Sequence, residues 1–138
     1  MRWWLMKSEP DVYGWDDLVR EGEGTWDGVR NFRARNNLAA MAVGDRAFFY
    51  HSNIGKEIVG VVRISVSGFP DPTDPGGKWV SVKVVPEEKL PRAVSLAEVK
   101  ANPKLSQMEL ARHSRLSVCE VREDEWREVL AMAARPAS

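Results

Sequence analysis

The apolar residues of this chain come in short runs, each cut off by glycine, proline, asparagine or acid, and strand-like and helix-like runs do not alternate. That ordering argues against a doubly wound parallel sheet, which needs regular strand–helix repeats. Trp3-Trp4-Leu5-Met6 is apolar on both faces and reads as a short buried strand, stopped by Glu9-Pro10-Asp11. Trp15 to Val19 reads as a short helix ending near Gly22. Residues 22–30 hold Gly22, Gly24 and Gly28 and read as loop. A second helix is expected from about Phe32 to Ala42. Ala34, Leu38 and Met41 would share its face, with Asn31 as N-cap and Gly44 as C-terminal cap.

Further along, Ala47–His51 and Glu57–Val66 read as strands, and Phe69–Gly77 as a turn-rich loop. Trp79–Val84 alternates with period two, which would turn Val80, Val82 and Val84 inward and Ser81 and Lys83 outward. Ser95 and Glu98 form a capping box opening a short helix that stops at Asn102-Pro103. Leu116–Val121 reads as a final strand. The last helix opens on Glu123-Asp124-Glu125, acids suited to its positive end, and carries Trp126, Val129, Leu130 and Ala133 as its apolar stripe. About five short strands with helices in the connections predict an α+β fold, a small and partly open barrel.

The 138 residues fit one domain, 1–138, without internal repeats. No segment approaches the roughly 20 apolar residues of a membrane span. The apolar run between Arg2 and Lys7 is too short for a signal peptide. Cys119 is the only cysteine, so no intrachain disulfide can form, which fits a reducing, cytoplasmic setting and a packing role for the thiol. His51, His113 and Cys119 lack paired metal-ligand spacing, so neither metal nor cofactor is expected.

Twenty basic and twenty acidic residues leave the chain formally neutral. A nucleic-acid partner would then have to be held by something other than a broad basic face. The charge is nevertheless uneven. Residues 1–27 carry Arg2, Lys7 and Arg20 against seven acids, whereas residues 28–44 carry Arg30, Arg33 and Arg35 and no acid. That segment could meet a phosphate or two, or could be a solvated helix face.

Six tryptophans is a high density, and most should be core because each buries a large area. Trp26 stands apart, since Gly24-Thr25-Trp26-Asp27-Gly28 is glycine-rich rather than periodic. Such a ring either plugs the core or lines a pocket. Three polar segments, Lys7-Ser8-Glu9, Asp27–Asn31 and Tyr50–Asn53, sit at the exits of apolar elements, where loops present binding groups. Hydroxyls, amides and a carboxylate are what a nucleobase edge requires. Caps and turns explain the same residues more simply.

Five stretches then carry a family resemblance: Trp4–Pro10, Trp26–Asn31, Ala34-Arg35-Asn36, Phe49–Asn53 and Arg115–Val118, in that order. Pro70-Asp71-Pro72 and Leu90-Pro91-Arg92 add to it. Together they resemble an EVE domain, of the thymocyte nuclear protein-like group, from about Trp3 to Trp126. The resemblance implies a PUA-like pseudobarrel of about five to six short strands flanked by helices. It also implies a non-catalytic reader whose partner is DNA or RNA carrying a modified, typically methylated, base. By the same carry-over, Lys7 and Ser8 would form the pocket mouth and wall, and Trp26 the aromatic platform with Asp27, Gly28 and Asn31 nearby. Tyr50, His51 and Ser52 would form the opposite wall, and Leu116 and Ser117 would close it. Arg30 and Arg115 would meet phosphate. Such a site would prefer a methylated base modestly, since a buried methyl is worth about 0.8 kcal/mol.

Two other readings compete. An enzyme acting on a modified base could use His51 with Ser52 or Ser8. Adjacent strand residues point to opposite faces, however, and no acid is identifiable to orient the imidazole. A protein-interaction module could use exposed tryptophans as hot spots.

Overall fold

The computed structural model describes residues 1–135. Strand β1 (Trp3–Ser8) leads into two short helices, α1 (Pro10–Tyr13) and α2 (Trp15–Glu21), then into β2 (Gly24–Trp26) and α3 (Phe32–Ala40). Strands β3 (Arg46–His51), β4 (Glu57–Pro70) and β5 (Val80–Ser95) follow. Helix α4 (Leu96–Ala101), a single 3-10 turn, α5 (Glu109–Arg112), β6 (Val118–Val121) and α6 (Glu123–Ala134) complete the order. Among the described residues no helix is long and apolar enough to cross a membrane.

All six strands join one sheet in the order β2-β5-β4-β3-β1-β6. Strands β1 and β3 run parallel and every other pair is antiparallel. A parallel pair needs a long crossover, which α1, α2, β2 and α3 supply. Helix α3 packs against β6 at one end of the sheet and against β5 and β4 toward the other. The sheet thus curls around a helix that bridges it, giving the PUA-like pseudobarrel.

The core follows from the apolar strand faces. Trp4, Leu5, Met6, Phe48, Phe49, Ile58 and Ile64 are fully buried, and Trp126 of α6 stacks on Phe48 with centroids 3.8 Å apart. One buried carboxylate organises the entry to β3. Asp45 accepts from the Trp4 indole at 3.1 Å, Ala42 N–H at 3.0 Å and Arg2 N–H at 3.2 Å.

Four local expectations need correction. Residues 22–30 are not all loop, because Gly24–Trp26 pairs with β5 (Trp26 opposite Val82). Helix α3 ends at Ala40, not Ala42. Asp45 captures Ala42 N–H and Met41 turns into the core, so Gly44 serves the following turn instead, its N–H donating to Ile64 O. Strand β5 runs on to Ser95 through Pro86 and Pro91. Pro86 lies beside a register shift, where a missing N–H is tolerated. Finally, Ser81 is buried rather than outward, because α2, α3, α4 and α6 all pack on β5.

Candidate functional site

The first cavity lies where β1 and β2 end. It encloses about 650 Å³ and is lined by Lys7, Ser8 and Glu9, by Val12 and Tyr13 of α1, by Thr25 to Arg30, and by Ser117. That volume suits a small planar ligand. The four charged side chains are two cations, Lys7 and Arg30, and two carboxylates, Glu9 and Asp27. A cavity so balanced favours a neutral polar heterocycle over a bare phosphate.

Trp26 is brought here by its pairing with Val82. It is only 8% exposed, and its ring meets Phe49 edge-to-face at 5.5 Å and 90°. Most of the indole therefore belongs to the core, and a small part borders the cavity. Tyr13 adds a second ring, its hydroxyl donating to Glu21 at 2.9 Å. Tyr13 can cross β2 there only because residue 24 is glycine. A Cβ on Gly24 would stand 2.6 Å from the tyrosine oxygen.

The wall from Gly28 to Arg30 is fixed by a residue to which the sequence reading gave no role in the site. The buried Asp71 carboxylate accepts from Gly28 N–H at 2.8 Å, Arg30 Nη1 at 2.9 Å, and Thr73 N–H and Oγ1 at 2.7 Å each. Burial alone would raise its pKa, but the hydrogen bonds from Thr73, Arg30 and Gly28 outweigh burial and bring it to about 2. Gly28 sits at φ +76°, which a side-chain-bearing residue rarely adopts, so the turn presenting Asp27 depends on it. In the sequence, Asp71 stands out only as part of Pro70-Asp71-Pro72, a stretch that adds to the family resemblance but gives the carboxylate no role.

On the β1 side, Lys7 N–H donates to Ser117 O at 2.9 Å, which draws Ser117 to the rim. The half-buried Lys7 ammonium donates to Ser114 O at 3.2 Å and lies 5.9 Å from the Tyr50 ring centroid. Burial pushes its pKa below the ordinary lysine value, partly countered by the Cys119 thiol. The Ser8 hydroxyl donates to Tyr13 O at 2.6 Å, tying β1 to α1.

The remaining candidates stand elsewhere. Tyr50 is buried in the core behind Lys7 and does not line the cavity. His51 lines a separate cleft of about 440 Å³ with Trp15, Asp16, Glu57 and Lys89. Its Nε2 accepts from Trp15 N–H at 3.1 Å, which caps the otherwise unpaired first turn of α2. Ser52 N–H donates to Ser8 O at 2.9 Å, continuing the parallel β1–β3 pairing. Because that pairing occupies β3, Tyr50, His51 and Ser52 do not form the opposite wall; Val12, Tyr13 and Thr25 stand there. Asn31 is the N-cap of α3, accepting from Ala34 N–H at 3.0 Å. It lines a shallow neighbouring cleft of about 350 Å³ with Arg115 and the buried Leu116. The cavity thus unites Lys7, Ser8, Trp26, Asp27, Gly28, Arg30 and Ser117, whereas Asn31, Arg115 and Leu116 line the other cleft.

Ser8 and His51 are register partners. Yet the Ser8 hydroxyl points at a carbonyl and His51 Nε2 is used by Trp15, so neither is aligned as nucleophile or base toward the other.

Comparison with known proteins agrees with this architecture. A Rhodopseudomonas palustris protein solved by NMR is 48% identical with a TM-score of 0.92, covering 96% of this chain and 93% of its own. The crystal structure of human thymocyte nuclear protein 1 with 5-methylcytosine-containing DNA is 33% identical with a TM-score of 0.91, covering 99% and 100%. By sequence, that human protein is 34% identical over 98% of this chain and 75% of its own length. A Zygosaccharomyces rouxii YTH domain, solved with N6-methyladenosine RNA, shares the fold alone, at 17% identity and a TM-score of 0.62 over 99% and 89%. The EVE domain family matches residues 2–132, and with these relatives it follows that the chain belongs to the EVE domain family.

Proposed function

We propose that this protein is an intracellular, non-catalytic reader that takes one methylated base of DNA or RNA into the cavity between β1 and β2. The observation that carries the reading is the charge-balanced cavity of about 650 Å³ bordered by Trp26 and Tyr13. A relative of the same family crystallised on 5-methylcytosine-containing DNA supports the class of ligand. Tyr13, Trp26, Val12 and Val29 offer the rings and apolar surface that a flat heterocycle and its methyl group need. Asp27, Ser117 and the Lys7 ammonium offer an acceptor, a hydroxyl and a donor for its edge.

Extruding a base costs a few kcal/mol, and stacking in the cavity offsets that by roughly 1–3 kcal/mol. A buried methyl then adds about 0.8 kcal/mol, near fourfold in affinity. The test is a fluorescence-anisotropy screen of short oligonucleotides, each carrying one modified base, against unmodified controls. At least one modification should bind about fourfold tighter or better, and Asp27→Ala should erase much of that preference while leaving the thermal melt in place. Equal affinity for every modified and unmodified strand would refute the reading.

A further inference from the structure

Beside the cavity, the first turn of α3 and the start of β5 bring together a group of residues of which the pocket uses only Arg30. Phe32 is 54% exposed, although it opens a helix whose apolar face lies elsewhere. Its ring meets that of the partly buried Trp79 at 5.0 Å and a tilt of 33°. Three cations surround the pair. Lys78 Nζ lies 4.7 Å from the Phe32 centroid and 5.4 Å from that of Trp79. The Arg35 guanidinium is 5.3 Å from Phe32, and that of Arg30 is 5.5 Å from Trp79. Trp79 also borders a shallow cleft of about 230 Å³ beside Gly68, Phe69 and Gly77.

The acids nearby are already used. Asp71 is buried against Arg30 and Thr73. Asp74 accepts from the backbone N–H groups of Gly76, Lys78 and Trp79 at 2.8–3.0 Å, shaping the loop that carries the lysine. Paired rings with cations at their faces are what a single-stranded nucleotide requires, since its base stacks on an aromatic while its phosphate meets Lys or Arg. Arg30 belongs to both places. It lines the cavity and lies over Trp79, so the two sites share a border.

We infer that Phe32 and Trp79, with Arg35 and Lys78, form a platform on which a nucleotide adjoining the captured base stacks. The platform takes any unpaired base and carries no preference for the modification. This inference rests on the reader function for its ligand class, but the two can fail separately.

The experiment measures three ligands on the whole chain: a modified oligonucleotide that binds in the screen, the same strand unmodified, and the free modified nucleoside. The variants are Phe32→Leu, which keeps an apolar contact to Trp79 while removing the ring, and Lys78→Ala. Phe32→Leu should weaken both oligonucleotides by roughly tenfold and leave the nucleoside affinity unchanged. Lys78→Ala should reduce the slope of log affinity against log salt by about 0.7 on either single strand. Oligonucleotide affinity and salt slope unchanged in both variants would overturn the platform, even if preference for the modification persists. Conversely, loss of all preference for the modification with the Phe32 and Lys78 effects intact would overturn the pocket and keep the platform.

Discussion

The cavity beside Trp26 and the cleft beside His51 lie on either side of the same short helices, and both contain residues that stand out in the sequence. They differ in where the polar groups are spent. In the His51 cleft the imidazole is committed to the fold, since its Nε2 caps the first turn of α2 through Trp15 N–H. In the Trp26 cavity the structural work is done behind the wall by Asp71, which leaves Asp27 exposed at the mouth. A polar residue at a strand exit thus becomes available for a ligand only when another residue satisfies the backbone around it.

The largest effect expected from this contrast is that of Trp26→Ala. Removing a nearly buried indole braced on Phe49 should cost about 3–5 kcal/mol in urea unfolding. It should also abolish preference for a modified base. A variant that keeps wild-type stability would show that the ring is not part of the core, and the contrast between core-built and free walls would fail on that side.

Asp71→Asn should come next, costing about 2 kcal/mol through weakened hydrogen bonds to Arg30, Gly28 and Thr73. Its pH behaviour sharpens the test. The folded carboxyl titrates at about 2, below its ordinary 3.8. Its stabilisation is therefore complete above pH 3.8 and disappears as the pH falls toward 2. Acid unfolding of the variant should lack that share of the slope. Oligonucleotide affinity should drop as well, because the Gly28–Arg30 wall loosens.

The smallest effect should be at His51. Burial lowers its pKa below the ordinary 6.5, with Lys89 acting in the same direction and Glu57 and Asp16 opposing. The unfolded chain then binds the proton more readily, so stability declines as the pH falls below 6.5. His51→Gln removes that titration and can keep an acceptor for Trp15 N–H. It should change stability at pH 7.5 by about 1 kcal/mol or less, remove the decline below pH 6.5, and leave oligonucleotide binding within twofold. A large loss of binding would move His51 into the ligand site.

The elements legible in the sequence were those specified by neighbours along the chain. Ala47–His51 is legible because the aromatic run Phe48-Phe49-Tyr50 lies between turn signals at Gly44-Asp45 and Ser52-Asn53. The Ser95–Glu98 box is observed as read, with both reciprocal hydrogen bonds present. Strand β2 was hidden because three residues in a glycine-rich stretch acquire strand character only from Val82 to Val84, far along the chain. The same distance concealed Asp71, whose partners Gly28 and Arg30 lie 43 and 41 residues away. Lys7, Ser8, Trp26 and Asp27 could be picked out as polar or aromatic residues at element ends. That Tyr13, rather than Tyr50, would face them depends on β3 pairing parallel to β1, which no local pattern encodes.

The bond from Lys7 N–H to Ser117 O ties the opening strand to the segment leading into the last one. During synthesis, everything from Lys7 to Arg30 leaves the ribosome long before Ser117 does. A chain still being made therefore has most of the residues that line the cavity but not the finished cavity, whose rim is complete only when the segment leading into β6 has docked on β1.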